Sequence, residues 1–156
     1  MRRGKINHRD RAKQINDFQG LLYGRNGTIT PTDVDGLIEY ENKAYVIIEI
    51  KSKDHNTKEW FEKVNGQRIA LERLTDDLTK AEKPAICILA SHNIEDPEYD
   101  VNVATTTPIA YRRNKKWTWC KNCTTKEVID KFIRCIDPPP RTVYDILRLP
   151  EAESSE

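Results

Sequence analysis

The pattern of hydrophobic and polar positions predicts a helix followed by a β-hairpin. Residues 8–23 place apolar side chains at helical spacing, and the glycines and asparagine at 24–27 end that helix. Two runs of strand-forming residues, 36–41 and 44–51, are joined by the polar turn Glu41-Asn42-Lys43, which predicts an antiparallel pair. The second run is almost entirely apolar before Glu49, as expected of a strand covered on both faces.

The rest of the pattern predicts helices that alternate with strands. Asn56 and Glu59 resemble a capping box, so a helix is expected from there to about Lys80, with a kink at Gly66. Residues 60, 64, 67, 71, 74, 78 and 81 would form one apolar seam whose single polar member is Gln67. Strands at 85–91, 109–112 and 117–119 and a helix at 125–135 follow. This order predicts an α/β fold with a mixed sheet between helices.

Length and composition favour one intracellular domain. The 156 residues are 37% hydrophobic and 33% charged, with a net charge of +1, which is typical of a soluble globular protein and excludes a membrane-spanning one. We expect a single domain over residues 1–137, with a basic arm at 1–9 and a Pro-rich, acidic tail at 138–156. No secretory signal is visible, so the expected location is the cytoplasm.

The cysteines are expected to be free thiols in a reducing compartment. Cys87 lies in the apolar run AICILA and is predicted to be a core residue. Cys120 and Cys123 form a C-x-x-C motif with Cys135 twelve residues further on, but no fourth ligand follows at zinc-ribbon spacing. A structural metal at these three cysteines stays open as the less favoured alternative.

Three charged residues stand at the ends of the two hairpin strands. With the turn at 41–43, residues whose numbers sum to about 84 or 85 face each other, so Asp35 should lie beside Glu49. Lys51 leaves the strand on the same face as Glu49. Two adjacent carboxylates repel unless a cation lies between them, and oxygen ligands completed by the Ile50 carbonyl suit Mg²⁺. The alternative is a plain Glu49–Lys51 ion pair at the sheet edge.

These residues resemble the PD-(D/E)xK nuclease superfamily through Pro31-Thr32-Asp33-Val34-Asp35 and Glu49-Ile50-Lys51. The resemblance implies a restriction-endonuclease-like core and a Mg²⁺-dependent deoxyribonuclease, with Mn²⁺ able to substitute. It assigns catalysis to Asp35, Glu49, Lys51 and Gln67, and metal binding to Asp35, Glu49 and the backbone carbonyl of Ile50, with Asp17 and Asp33 as further candidates.

Two departures from the family pattern limit the transfer of roles. Exonuclease-like branches place a tyrosine four residues after the glutamine, where this chain has Leu71. Many relatives carry a glutamate in the first helix, whereas no glutamate precedes Glu39 here. Asp17 is the candidate substitute, with Asp10 and Gln14 less favoured, and an exposed helix position explains Asp17 equally well. Exonuclease and endonuclease activity therefore both stay open.

The expected partner is DNA, in recombination, repair or phage DNA processing, and a homodimer is left open. If the chain is phage-encoded, its location is the host cytoplasm. Basic residues interleaved with aromatics favour a nucleic-acid surface, although a solvated terminus and a charged turn explain them nearly as well. The alternative function is a noncatalytic module that binds nucleic acid or protein. The residues assigned to the DNA surface are Arg9, Arg11, Lys13, Lys53, Arg112, Arg113, Lys115 and Lys116.

Overall fold

A computed structural model describes residues 32–53 and 57–140. The predicted first helix, the basic arm, most of the acidic tail and the cap at Asn56 lie outside these residues. The described chain from Asp33 onward belongs to one compact unit. Its elements are β1 (Gly36–Tyr40), β2 (Ala44–Ser52), α1 (Thr57–Glu62), α2 (Gly66–Lys80), β3 (Ala85–His92), a 3₁₀ turn (Val103–Thr105), β4 (Thr107–Arg113), β5 (Lys116–Trp119) and α3 (Thr125–Ile136).

The five strands form one mixed sheet in the order β1-β2-β3-β4-β5. β2 and β3 run parallel, and every other neighbouring pair is antiparallel. The parallel pair needs a long connection, which α1 and α2 provide. The predicted α/β class with a mixed sheet is confirmed. No helix in the described part of the chain is long and apolar enough to cross a membrane.

The β1–β2 hairpin has the predicted turn and register. Tyr40 pairs with Ala44 and Gly36 pairs with Ile48, so paired residue numbers sum to 84. Continued by one residue, this register sets Asp35 opposite Glu49. Turn position and side-chain alternation fix this arrangement locally.

The prediction of one kinked helix with a continuous apolar seam is wrong. The chain forms two helices separated at residues 63–65, and α2 starts afresh where the Asn65 side chain accepts a hydrogen bond from the Arg68 N–H at 3.2 Å. Val64 therefore lies outside both helices and is 93% exposed. On α2 the buried positions are Leu71 and Thr75, whereas Leu74 is 41% exposed.

The sheet carries a separate apolar core on each face, because successive strand side chains point to opposite sides. On the α3 side the core includes Val46, Ile48, Ile88 and Phe132. On the side of α1 and α2, Cys87 is a core residue as predicted, and it packs in a cluster with Ile47, Trp60, Leu71 and Leu89. Each fully buried aliphatic side chain contributes roughly 1.5–3 kcal/mol to folding. The two cores hold α2 and α3 on opposite faces of the sheet.

Candidate active site

The carboxyl end of β2 carries Glu49 and Lys51 toward the α2 face of the sheet. Glu49 follows Ile47 at the strand period and is itself only 3% exposed. The Lys51 ammonium forms an ion pair with Glu49 Oε1, and the Lys51 side chain is 20% exposed. The Glu49–Lys51 pair therefore lies at the boundary between the α2-side core and solvent, with Glu49 buried and Lys51 partly accessible to a ligand.

Asp35 is fixed beside this pair by the backbone of the neighbouring strand. The Ile50 N–H donates a hydrogen bond to Asp35 Oδ2 at 2.7 Å. A short bond of this kind from a backbone donor to a carboxylate is strong and directional. It orients the Asp35 carboxylate at the end of the strand pair, as the hairpin register predicts.

Gln67 reaches the same group from the first turn of α2. Its Oε1 accepts a hydrogen bond from Lys51 Nζ at 3.1 Å, and its Nε2 donates to Asp33 Oδ1 at 3.4 Å. Gln67 lies two residues after the N-cap residue Asn65, so its position is set by where α2 begins. The structure thus joins Asp33, Gln67, Lys51 and Glu49 in one chain of polar contacts.

One oxygen of the Glu49 carboxylate is paired with Lys51, and the other is buried without a partner in the described chain. Burial raises the pKa of Glu49 above its ordinary value and the nearby Asp35 carboxylate adds to that shift, whereas the Lys51 ammonium and the Gln67 amide oppose it. Glu49 Oε2 is buried and, among the described residues, has no hydrogen-bond donor. An unpaired buried carboxylate oxygen is unfavourable, so a water or a cation is expected to complete it.

A divalent cation fits the residues that are present, because it would supply the missing partner of Glu49 Oε2 and relieve its repulsion by Asp35. The described residues contain no group of three His, Cys, Asp or Glu side chains placed to hold a metal ion. Within the described chain, Asp35 and Glu49 offer two carboxylates at this strand end, a number that suits Mg²⁺, which keeps several of its waters. The same finding gives no support to a structural metal at Cys120, Cys123 and Cys135.

The other predicted metal ligands are Asp17, Asp33 and the backbone carbonyl of Ile50. Asp17 lies outside the described residues. Asp33 is exposed, and the contact that links it to the site within the described chain is the 3.4 Å hydrogen bond from Gln67. The N–H of Ile50 is used by Asp35, and its carbonyl stays a predicted ligand.

The structure does not bring the predicted basic surface together at this site. Arg112 forms a bidentate pair with Asp76 of α2 at 2.7 and 3.1 Å, whereas Arg113 lies on the opposite face, with its guanidinium 5.1 Å from the ring centroid of Phe132. Strand alternation separates these neighbours. We therefore no longer assign Arg112 to the DNA surface, because its guanidinium is already paired with Asp76.

The basic turn after β4 also lies away from the carboxylates. β4 is antiparallel to β3, so the turn that carries Lys115 and Lys116 is at the amino end of β3, opposite Glu49 along the sheet. Both lysines are exposed. Lys53 is exposed and is the one predicted DNA contact in the described chain at the Glu49 end, while Arg9, Arg11 and Lys13 lie outside the described residues.

Sequence reasoning missed the polar residues that β3 and β4 add at this end of the sheet. Ser91 pairs with Lys51 and with Thr107, and His92 pairs with Ser52. The signal in the sequence is weak, because a parallel pairing across an intervening helical segment is not set by any local turn.

Comparison of the chain with protein-family models, with curated proteins and with solved structures finds no match. Any functional conclusion therefore depends on the geometry of Asp35, Glu49, Lys51 and Gln67. Because fold alone does not define activity, that geometry has to be tested directly.

Proposed function

We propose that this chain is a metal-dependent nuclease of the PD-(D/E)xK type, with a restriction-endonuclease-like core, that hydrolyses DNA phosphodiester bonds. The observation that carries the proposal is the buried, unpaired Oε2 of Glu49 at a strand end beside Asp35. Lys51 and Gln67 complete the group through direct polar contacts. Recombination, repair and phage DNA processing are the processes in which we place such an enzyme.

Asp35, Glu49 and the carbonyl of Ile50 would hold Mg²⁺, for which Mn²⁺ could substitute. A bound ion of this class supplies Lewis-acid stabilisation of the phosphate charge and a more acidic water. Glu49 would hold the ion through Oε2, because Lys51 occupies Oε1. Asp35 is held in place by the Ile50 N–H, so it would bind with little loss of side-chain entropy.

Lys51 would act on the phosphate and the attacking water. Its ammonium is held between Glu49 Oε1 and Gln67 Oε1 and keeps one of its three donor positions for a substrate oxygen. A positioned cation stabilises the negative charge that develops on the phosphate in the transition state. Gln67 is a positioning residue for Lys51, because its amide oxygen fixes the direction of the ammonium.

A cleavage panel tests the proposal. Linear duplex, nicked, single-stranded and four-way DNA are incubated with the native protein and Mn²⁺, together with Lys51→Ala, Asp35→Ala and the matched control Lys80→Ala. Lys80 lies in the last turn of α2, at the other end of the helix from Gln67, and removes the same charge. We expect native protein and Lys80→Ala to cut, and the two site variants to lose at least 100-fold in rate, as removal of a catalytic electrostatic group typically does.

A noncatalytic binding module is the second candidate, and the Glu49–Lys51 ion pair favours it. Glu49 Oε1 and the Lys51 ammonium already have partners within the protein. A purely structural ion pair therefore accounts for both side chains, except for the unpaired Glu49 Oε2. If no substrate is cut and neither Mg²⁺ nor Mn²⁺ raises the melting temperature of the native protein, the binding-module function replaces the nuclease.

A further inference from the structure

A polar cleft opens beside the candidate active site, at the carboxyl ends of β2 and β3. Its volume is about 440 Å³, within the range of roughly 300–1,000 Å³ that small-molecule sites occupy. The last residues of the two strands form one side, and the loop before β4 with the start of that strand forms the other. The lining residues used below are Lys53, Ser91, His92, Asn102, Thr105 and Thr107.

Strand pairing fixes the position of this cleft relative to Glu49. Ser91 is the parallel partner of Lys51, and the Lys53 N–H donates to the His92 carbonyl at 2.8 Å, which continues the pairing beyond β2. Two residues along a strand and one strand spacing across the sheet give a backbone separation of about 8 Å between Glu49 and Ser91. Ser91, one residue of the cleft lining, therefore lies close to the candidate metal position.

The wall of the cleft is held by its own hydrogen bonds. The Asn102 side chain accepts from the Ala104 N–H at 3.1 Å, and the Thr105 hydroxyl donates to the Asn102 carbonyl at 3.1 Å. The next residue, Thr106, is buried and shares a 2.7 Å hydrogen bond with the Thr125 hydroxyl of α3. The loop is thus tied to α3 and forms a preorganised surface.

The groups that remain for a ligand are mainly hydrogen-bond donors. The Ile94 N–H donates to His92 Nδ1 at 3.1 Å, which makes the neutral imidazole a donor through Nε2. Within residues 32–53 and 57–140, no hydrogen bond engages the side chains of Lys53, Ser91 or Thr107. A cation, an imidazole N–H and two hydroxyls match the oxygens of a phosphate. Asp100 also lines the cleft, but it already takes part in an interaction.

We infer that this cleft binds a phosphate of the DNA strand that is cut, at a nucleotide flanking the scissile bond. The inference rests on the proposed nuclease function for its substrate class. A separation of about 8 Å between the Glu49 and Ser91 backbones is short enough for a phosphate that flanks the scissile one on the same strand. Lys53 would supply the charge, and Ser91, His92 and Thr107 would supply the directional bonds.

The test measures DNA affinity separately from cleavage. A fluorescein-labelled single-stranded 12-mer is titrated with protein in EDTA, by anisotropy, over a series of salt concentrations. We expect Lys53→Ala to weaken binding several-fold and to reduce the slope of log K against log salt by about 0.7, the value for one phosphate contact on a single strand. Thr107→Val, which keeps the side-chain shape and removes the hydroxyl, should weaken binding with little change in slope. Lys80→Ala should match the native protein.

The outcomes separate this inference from the proposed function. If Lys53→Ala and Lys80→Ala have the same affinity and slope as each other, or if the native protein binds no DNA, the cleft assignment is wrong. If the native protein cuts DNA while Lys53→Ala and Thr107→Val bind normally, the nuclease stands and the cleft fails. If nothing is cut but the Lys53-specific change in slope is found, the nuclease fails and the cleft stands as a DNA-binding site.

Discussion

Replacing Glu49 with glutamine tests whether this buried carboxylate serves a ligand rather than stability. The change keeps the shape of the side chain, removes its charge and ends its repulsion by Asp35. It also weakens the ion pair with Lys51, which Gln67 still holds by a hydrogen bond. Burial is the largest contribution to the raised pKa of Glu49, and burial together with the Asp35 charge outweighs the opposing effects of Lys51 and Gln67. Without metal, the glutamine variant is therefore expected to be the more stable protein.

The magnitude follows from the buried charge. The glutamine amide is still a polar group at the position of Oε2, so the variant gains by removing a buried charge and its repulsion by Asp35; loss of the Lys51 ion pair offsets part of that gain, and we expect a net stabilisation of about 1 kcal/mol. For a chain of this size that corresponds to a rise of about 2–4 °C in melting temperature. Metal should make the native protein the more stable of the two. An ion at 100 times its Kd stabilises the native protein by about 2.7 kcal/mol, whereas the variant, which lacks the ligand, should gain little.

The assay is thermal unfolding followed by circular dichroism, first in EDTA and then over a Mn²⁺ series. Glu62→Gln is the matched control, because Glu62 is an exposed carboxylate on α1. It should respond to Mn²⁺ as the native protein does. The reasoning is refuted if Glu49→Gln is less stable than the native protein in EDTA and Mn²⁺ shifts the two melting temperatures equally.

Further predictions concern pH, packing and thiols. The pKa of Glu49 is raised from 4.5, so the folded state binds this proton more tightly than the unfolded chain does. The free energy of unfolding without metal should therefore fall as pH rises from about 4.5 through the raised pKa. Denaturant titrations of Glu49→Gln should no longer show that fall. Arg112→Ala should lower the free energy of unfolding by about 1–3 kcal/mol by leaving Asp76 unpaired, yet leave DNA affinity unchanged in the anisotropy assay. Leu71→Ala should cost about 2–5 kcal/mol by urea denaturation. Cys87, buried and with its pKa raised to about 12, should react with a thiol reagent only after unfolding, whereas exposed Cys135 should react in the native protein.

The sequence by itself determined the hairpin and the face on which its charges lie. The turn at 41–43 and the two-residue strand period are local properties, so they fix Asp35 against Glu49 and place Lys51 on the same side without information from the rest of the chain. The sheet class, the bounds of α3 to within one residue and the burial of Cys87 followed from similar local patterns.

The tertiary structure decided what depends on contacts between distant segments. A seven-position seam suggested one helix, but the cap at Asn65 restarts α2, leaves Val64 in solvent and aims Gln67 at Lys51. Because β4 runs antiparallel to β3, the basic turn after it lies at the opposite end of the sheet from Glu49. Strand alternation points the Arg112 side chain toward α2, where it pairs with Asp76. The parallel pairing of β2 with β3 places Ser91 beside Lys51 and creates the cleft. No local turn specifies such pairings, because they form only when the whole sheet assembles around its two cores.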